Sequence, residues 1–204
     1  MFTEAVPGAL KSNLELLSKE KFIKEFYLAG GTSVALQLGH RVSYDLDFFT
    51  PKTFNEERII QNLSDLGNLK IDQRTEQTIL GILNNVKVSF FFYRYSLLFN
   101  PLVWQGIRLA DLRDVACMKI DAVQSRGTKR DFIDLYAIIK NGYTLEELLE
   151  LFKKKYKRVR YNEIHIRKSL IYFVDAEKEK MPKMLKSFEW REIKKFFISE
   201  VKKL

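Results

Sequence analysis

Apolar residues recur along this chain at two spacings, which are mixed as far as about residue 108, and beyond it only the helical one remains. Leu10, Leu14 and Leu17, with Ile23 near the same face, predict an amphipathic helix over Pro7–Phe22. Tyr27-Leu28-Ala29 reads as the end of a buried strand, and Gly30-Gly31 as a sharp backbone turn. A short helix then spans Thr32–Leu38, stopped by Gly39 in the C′ position. Val42–Phe49 alternates as a strand that buries Tyr44, Leu46 and Phe48. Asn55 caps a helix running through Leu66. Leu69–Arg74, Thr78–Leu83 and Val86–Tyr93 read as strands, with Asn84-Asn85 turning between the last two. After a loop through Pro101 and a short strand near Ile107, the spacing is helical. It predicts helices at Asp111–Ser125, Arg130–Asn141, Thr144–Lys155, Asn162–Asp175 and Ser187–Lys203. Asp111 and Thr144 sit in capping positions, with Asp114 and Glu147 three residues on. The pattern predicts an α+β chain, with a mixed sheet and helices over residues 1–108 and a helical domain over 109–204.

The chemistry concentrates between Phe26 and Phe49, FYLAGGTSVALQLGHRVSYDLDFF. A helix N-terminus preceded by two glycines and carrying Thr32 and Ser33 can hold a phosphate. Asp45 and Asp47, two apart on a strand, point to the same face. Like charges side by side repel unless a cation lies between them. Two carboxylates a short helix away from a phosphate cradle suit a Mg²⁺-dependent transfer from a nucleotide. Further on, Lys119 falls inside the apolar stripe of its helix, between Ala116 and Val123, so it either snorkels or points into a cleft. Asp131 and Asp134 share one face of the next helix. Arg126, Lys129 and Arg130 flank Gly127 in the connection, a second place for phosphate.

Composition narrows the class. A chain of 204 residues, 46% hydrophobic, holds one large domain or two small ones. It contains no run of 18 apolar residues, so no membrane span is expected. The start, MFTEAVPGALKS, lacks the apolar core of a signal peptide, and the expected location is the cytoplasm. Cys117, the single cysteine, reads as a buried small hydrophobe. Neither His40 nor His165 has a partner at zinc-ligand spacing. The net charge of +9 is uneven: residues 153–204 hold 17 Lys/Arg against 7 Asp/Glu, and the rest is nearly balanced. That asymmetry points to a polyanionic partner. Within 153–160, Lys153, Lys154, Lys155, Lys157, Arg158 and Arg160 surround Tyr156, with Tyr161 adjacent. Such a segment suits a phosphate backbone and an unpaired base.

GGTSVALQLGHRVSYDLDFF resembles the first motif of the DNA polymerase β-like nucleotidyltransferases. With DLRDVACMKIDAVQSRGTKRDFIDLYAI (Asp111–Ile138), it resembles the AbiEii/AbiGii toxin family. The resemblance covers about a quarter of the chain. It implies a minimal nucleotidyltransferase core and transfer of a nucleoside monophosphate from an NTP. Asp45 and Asp47 would hold Mg²⁺. Gly30, Gly31, Thr32 and Ser33 would hold phosphates, with Arg41 as an added clamp. Lys119 would stabilise charge on the leaving pyrophosphate, and Asp131 would orient Lys119 or act as base for the acceptor. Combined with the basic run at residues 153–160, it further implies an RNA acceptor bound through that run, tRNA at its 3′ end in some members, and a cognate antitoxin. The family's usual third carboxylate aligns with Ser89, and Asp72 is a possible substitute. Two alternatives accompany this reading: a binding module without turnover on the same fold, and a nucleotidyltransferase for small molecules such as antibiotics.

Overall fold

The computed structural model describes all 204 residues. Seven strands form one mixed sheet in the order β3-β4-β5-β2-β1-β7-β6. They are β1 (Tyr27–Leu28), β2 (Asp45–Thr50), β3 (Leu69–Thr75), β4 (Thr78–Leu83), β5 (Val86–Phe92), β6 (Leu102–Trp104) and β7 (Ile107–Leu109). β2 runs parallel to β5 and β1 parallel to β7, while the other neighbours are antiparallel. Asn84 and Asn85 both adopt positive φ, 47° and 66°. That conformation matches the twist of a two-residue hairpin and is tolerated best by Asn and Gly. The helices are α1 (Gly8–Ser18), α2 (Gly30–Leu38), α3 (Glu56–Ser64), α4 (Leu112–Ser125), α5 (Lys129–Lys140), α6 (Leu145–Lys155), α7 (Glu163–Ser169), α8 (Val174–Glu177) and α9 (Trp190–Val201). Thr144 and Glu147 make the full reciprocal capping box of α6.

The apolar residues fall into two cores. One gathers α1, α3 and one sheet face, with Phe48 stacked on Phe90 at 5.2 Å and Phe26 edge-on to Phe90 at 5.1 Å. The other gathers α4–α9, with Phe132 central among Phe173, Trp190 and Phe197. α2 is shared: Leu36 belongs to the first core, and Val34 and Leu38 to the second. The short helix is therefore clamped on both sides, and the residues at its ends are held in place. The C-terminal part also straps back over it. The amide of Val42 donates to Lys183 O (2.8 Å) and that of Leu185 to His40 O (2.9 Å).

Several elements depart from the sequence pattern. Gly30 and Gly31 form the first turn of α2 instead of preceding it. Tyr44 lies outside β2 and is mostly exposed. The strand near Ile107 is half of a hairpin turning at Gln105-Gly106, both with positive φ. The expected Asn162–Asp175 helix breaks after Ser169, because Phe173 turns inward onto Phe132 and Trp190. No helix is long and apolar enough to cross a membrane. Cys117 is buried, and burial pushes its thiol up to about 12.

Candidate active site

Asp45, Asp47 and Phe49 share one face of β2, while Leu46 and Phe48 are fully buried on the other. The parallel pairing with β5 sets Lys87 beside Asp45, Ser89 beside Asp47 and Phe91 beside Phe49. A polar cleft of about 230 Å³ opens over this face with no hydrophobic residue in its wall. Gly30 is required here. Its φ is +63°, and a Cβ on it would lie 2.8 Å from Asp47 Oδ2. At Gly31 a Cβ would lie 2.2 Å from Arg41 Nη2, so the Gly-Gly pair lets a carboxylate and a guanidinium close on the helix start from two sides.

Burial raises the Asp47 carboxyl above its ordinary range. Asp45 pushes the same way, opposed by the Ser89 hydroxyl and by Lys119 and Arg126. Asp45 is more open, its side chain 39% exposed, with Arg130 Nη1 3.9 Å away. No third acidic, His or Cys side chain joins the pair. Asp72 lies on β3, separated from β2 by β4 and β5, beside Lys70 at 3.5 Å, and contributes nothing to the cleft. Two hard oxygen donors, one incompletely neutralised and seated against a glycine, fit Mg²⁺, which keeps its remaining positions for phosphate and water.

Behind the carboxylates lies a buried ion network that the sequence only partly signalled. Asp134 is fully buried. It accepts from Arg41 Nε (2.7 Å) and Nη2 (2.9 Å) and from His40 Nε2 (2.7 Å), and pairs with Lys119 Nζ (2.7 Å). Burial alone would raise its pKa. Arg41, Lys119 and His40 overcome that and hold it well below the usual carboxylate range. Burial lowers the pKa of His40, which is therefore neutral and donates from Nε2. Asp131 accepts from Lys119 Nζ (2.9 Å), from Arg126 Nε (2.8 Å) and Nη2 (2.9 Å), and from the Thr128 hydroxyl (2.6 Å). It too is held far below its ordinary value, Lys119 and Arg126 outweighing burial. Asp131 is thus held ionised at neutral pH with both oxygens engaged, which suits it poorly to act as a base toward an acceptor. It positions Lys119 and Arg126. Arg126 remains 62% exposed at the mouth of the cleft.

Other expected site residues also change role. Thr32 and Ser33 are buried and outside the cleft walls. Thr32 donates to Asp45 O and lies 2.8 Å from Ser43 Oγ, and Ser33 accepts from Gln37. Their hydroxyls brace the turn, because an α2 buried on both sides leaves only Gly30, Gly31 and, at its far end, Gln37 partly accessible. Arg41 lines the cleft but is committed to Asp134. Lys129 is buried and donates to Glu179 O. In the basic segment, Lys155 is enclosed and paired with Asp114 (2.7 Å), and Tyr156 is buried with its hydroxyl against that of Tyr93. Lys153 pairs with Glu150 and Glu163. Only Lys154, Lys157, Arg158 and Arg160 of this run stand free at the surface. Asp134 shares the helix face of Asp131, a signal visible in Asp-x-x-Asp, but its partner Arg41 is 93 residues away.

The AbiEii family model, described as a nucleotidyl transferase toxin of type IV toxin–antitoxin systems, matches residues 14–102 and 96–203. A protein of Aquifex aeolicus (strain VF5), named "uncharacterized protein aq_aa25", is 40% identical over 185 residues, 87% of each chain. Among solved structures, JHP933 of Helicobacter pylori superposes with a TM-score of 0.58 at 16% identity, over 95% of this chain and 88% of its own. The nucleotidyltransferase toxin MenT4 of Mycobacterium tuberculosis H37Rv does so with 0.58 at 13% identity, over 96% and 83%. At such identities these two likenesses speak for the fold alone. The family model spans nearly the whole chain, including the Gly-Gly turn, both strand carboxylates and the α4–α5 ion network, and the protein belongs to the AbiEii family of nucleotidyltransferase toxins.

Proposed function

We propose that the protein transfers a nucleoside monophosphate from an NTP to an acceptor hydroxyl on RNA, with Mg²⁺ held by Asp45 and Asp47. The reading is carried by one arrangement: two carboxylates on one strand face, beside a helix start that glycine keeps open. Such an ion supplies neutralisation of phosphate charge and activation of an oxygen nucleophile. Around it, the backbone N–H groups of Gly30 and Gly31, not the hydroxyls of Thr32 and Ser33, receive phosphate oxygens. Arg126 and Arg130, both exposed at the cleft, neutralise the triphosphate. Lys119 keeps the field at the cleft floor positive while tied to Asp131 and Asp134. The acceptor oxygen bonds to the α-phosphorus as its proton passes to solvent, the bond from that phosphorus to the α–β bridging oxygen breaks, and pyrophosphate leaves.

The basic surface of Lys154, Lys157, Arg158 and Arg160 supports RNA as the acceptor. Membership of a toxin family makes the 3′ end of tRNA the acceptor to try first, since blocking it stops translation, and makes a cognate antitoxin the expected restraint. Incubation with each radiolabelled NTP, Mg²⁺ and total cellular RNA tests the reading. Label should enter RNA and be lost on Asp47→Ala. An RNA fraction unlabelled at every NTP, or labelled equally by the variant, would refute it.

A further inference from the structure

We propose that Asp121 selects the base of the incoming nucleotide, favouring guanine and rejecting uracil, from the wall of an aromatic-sided cavity next to Asp47. The proposal rests on the reading of the cleft as an NTP site. A second cavity of about 290 Å³ adjoins the polar cleft, with which it shares Asp47, Lys119 and Arg126. One side is the sheet face, where Phe49 stacks on Phe91 at 5.1 Å and meets Tyr93 edge-on at 5.7 Å. The other is α4, through Val115, Met118, Asp121 and Ala122. A nucleotide with its phosphates over Gly30 and Asp47 would place its base in this slot.

An aromatic wall accepts every base, because every base has a π-face. Discrimination must come from polar groups, and almost all of those in the cavity are already committed. Lys119 is paired with Asp131 and Asp134, and Arg126 turns Nε and Nη2 onto Asp131. The Ser125 hydroxyl is spent on the carbonyls of Asp121 and Ala122. The Tyr93 hydroxyl is paired with that of Tyr156. Asp47 lies at the phosphate end. Asp121 remains: its carboxylate, in the cavity wall, has no hydrogen-bond or ion-pair partner, and partial burial raises its pKa. A carboxylate only accepts. Guanine presents two adjacent donors, N1–H and the 2-amino group, to its two oxygens. Adenine and cytosine present one exocyclic amine each. Uracil places a single N–H between two carbonyl oxygens, which the carboxylate repels.

The test is the affinity of each of GTP, ATP, CTP and UTP by calorimetry, for the full chain and for Asp121→Asn, alongside transfer to RNA. Asp121 is exposed and makes no ion pair, so the variant should unfold at no lower a temperature. The full chain should bind GTP at least ~10-fold tighter than UTP, a gap that one charged hydrogen bond can supply. Asp121→Asn, whose amide offers one donor and one acceptor, should close most of that gap by losing GTP affinity and gaining UTP affinity. An unchanged base order in the variant, or equal binding of all four nucleotides by the full chain, would overturn the proposal even with transfer intact. A base order that depends on Asp121 while no RNA is labelled would uphold it and refute the acceptor reading instead.

Discussion

Lys119 Nζ lies 2.7 Å from Asp134 Oδ2 and 2.9 Å from Asp131 Oδ1, and all three side chains are buried. Burial would lower the lysine's pKa, but the two carboxylates raise it above its usual value. The ammonium is therefore the charge that lets two aspartates stay inside the protein. Removing it leaves them undercompensated, since Arg41 and Arg126 each serve one. Lys119→Met is expected to cost about 3–5 kcal/mol, the range for breaking a buried ion pair. Urea or thermal unfolding would check it. Undiminished stability would mean that the network is redundant and that Lys119 acts only in catalysis.

Asp131 and Asp134 both have depressed folded-state pKa values, so their contribution is complete above the unfolded carboxylate value of ~3.9 and is lost as pH falls through the folded values. Unfolding free energy should therefore fall steeply below about pH 4. Asp134→Asn should flatten that acid limb, whatever it does to stability at neutral pH. A variant with the same slope between pH 4 and 2 would rule out Asp134 as a source of acid sensitivity.

Asp47 works in the opposite sense: burial and Asp45 raise its pKa, so its ionisation costs stability at neutral pH. Without Mg²⁺, Asp47→Asn should raise Tm, because the amide carries no charge to desolvate. The same variant should lose transfer activity. Adding Mg²⁺ should raise the Tm of the full chain and leave that of Asp47→Asn unmoved. A melting point unaffected by Mg²⁺ in both would remove the metal from the site.

The basic run 153–160 divides into two kinds of residue with separable effects. Lys155→Met strips Asp114 of its 2.7 Å partner and should destabilise the protein by about 3–5 kcal/mol. Changing Lys154, Lys157, Arg158 and Arg160 together to Gln should leave Tm within about 2 °C, because these side chains are exposed. It should also raise the Kd for RNA at least ~10-fold, with each lost phosphate contact removing roughly 0.7–0.9 of a unit of log–log salt slope. RNA affinity and salt slope both unchanged in that variant would place the acceptor elsewhere on the surface.

Local chemistry determined much of this protein. Period-two alternation alone put Asp45 and Asp47 on one face of β2 with Leu46 and Phe48 behind them, since a strand has only two faces. Thr144 with Glu147 declared the start of α6, and Asn84-Asn85 declared its hairpin, because caps and tight turns are settled within four residues. The motifs around Gly30 and Lys119 were enough to identify the family. Tertiary structure decided which charges are available for chemistry. Arg41 and Lys155 read as free cations in the sequence. Folding brings Asp134 to the first across 93 positions and Asp114 to the second across 41, and burial makes both pairings obligatory. Register did the same for Ser89: only the β2–β5 pairing, 42 residues apart in the chain, sets its hydroxyl beside Asp47. A sequence records which groups carry charge. Which of them remain uncompensated at a surface depends on contacts between distant segments, and those no local pattern encodes.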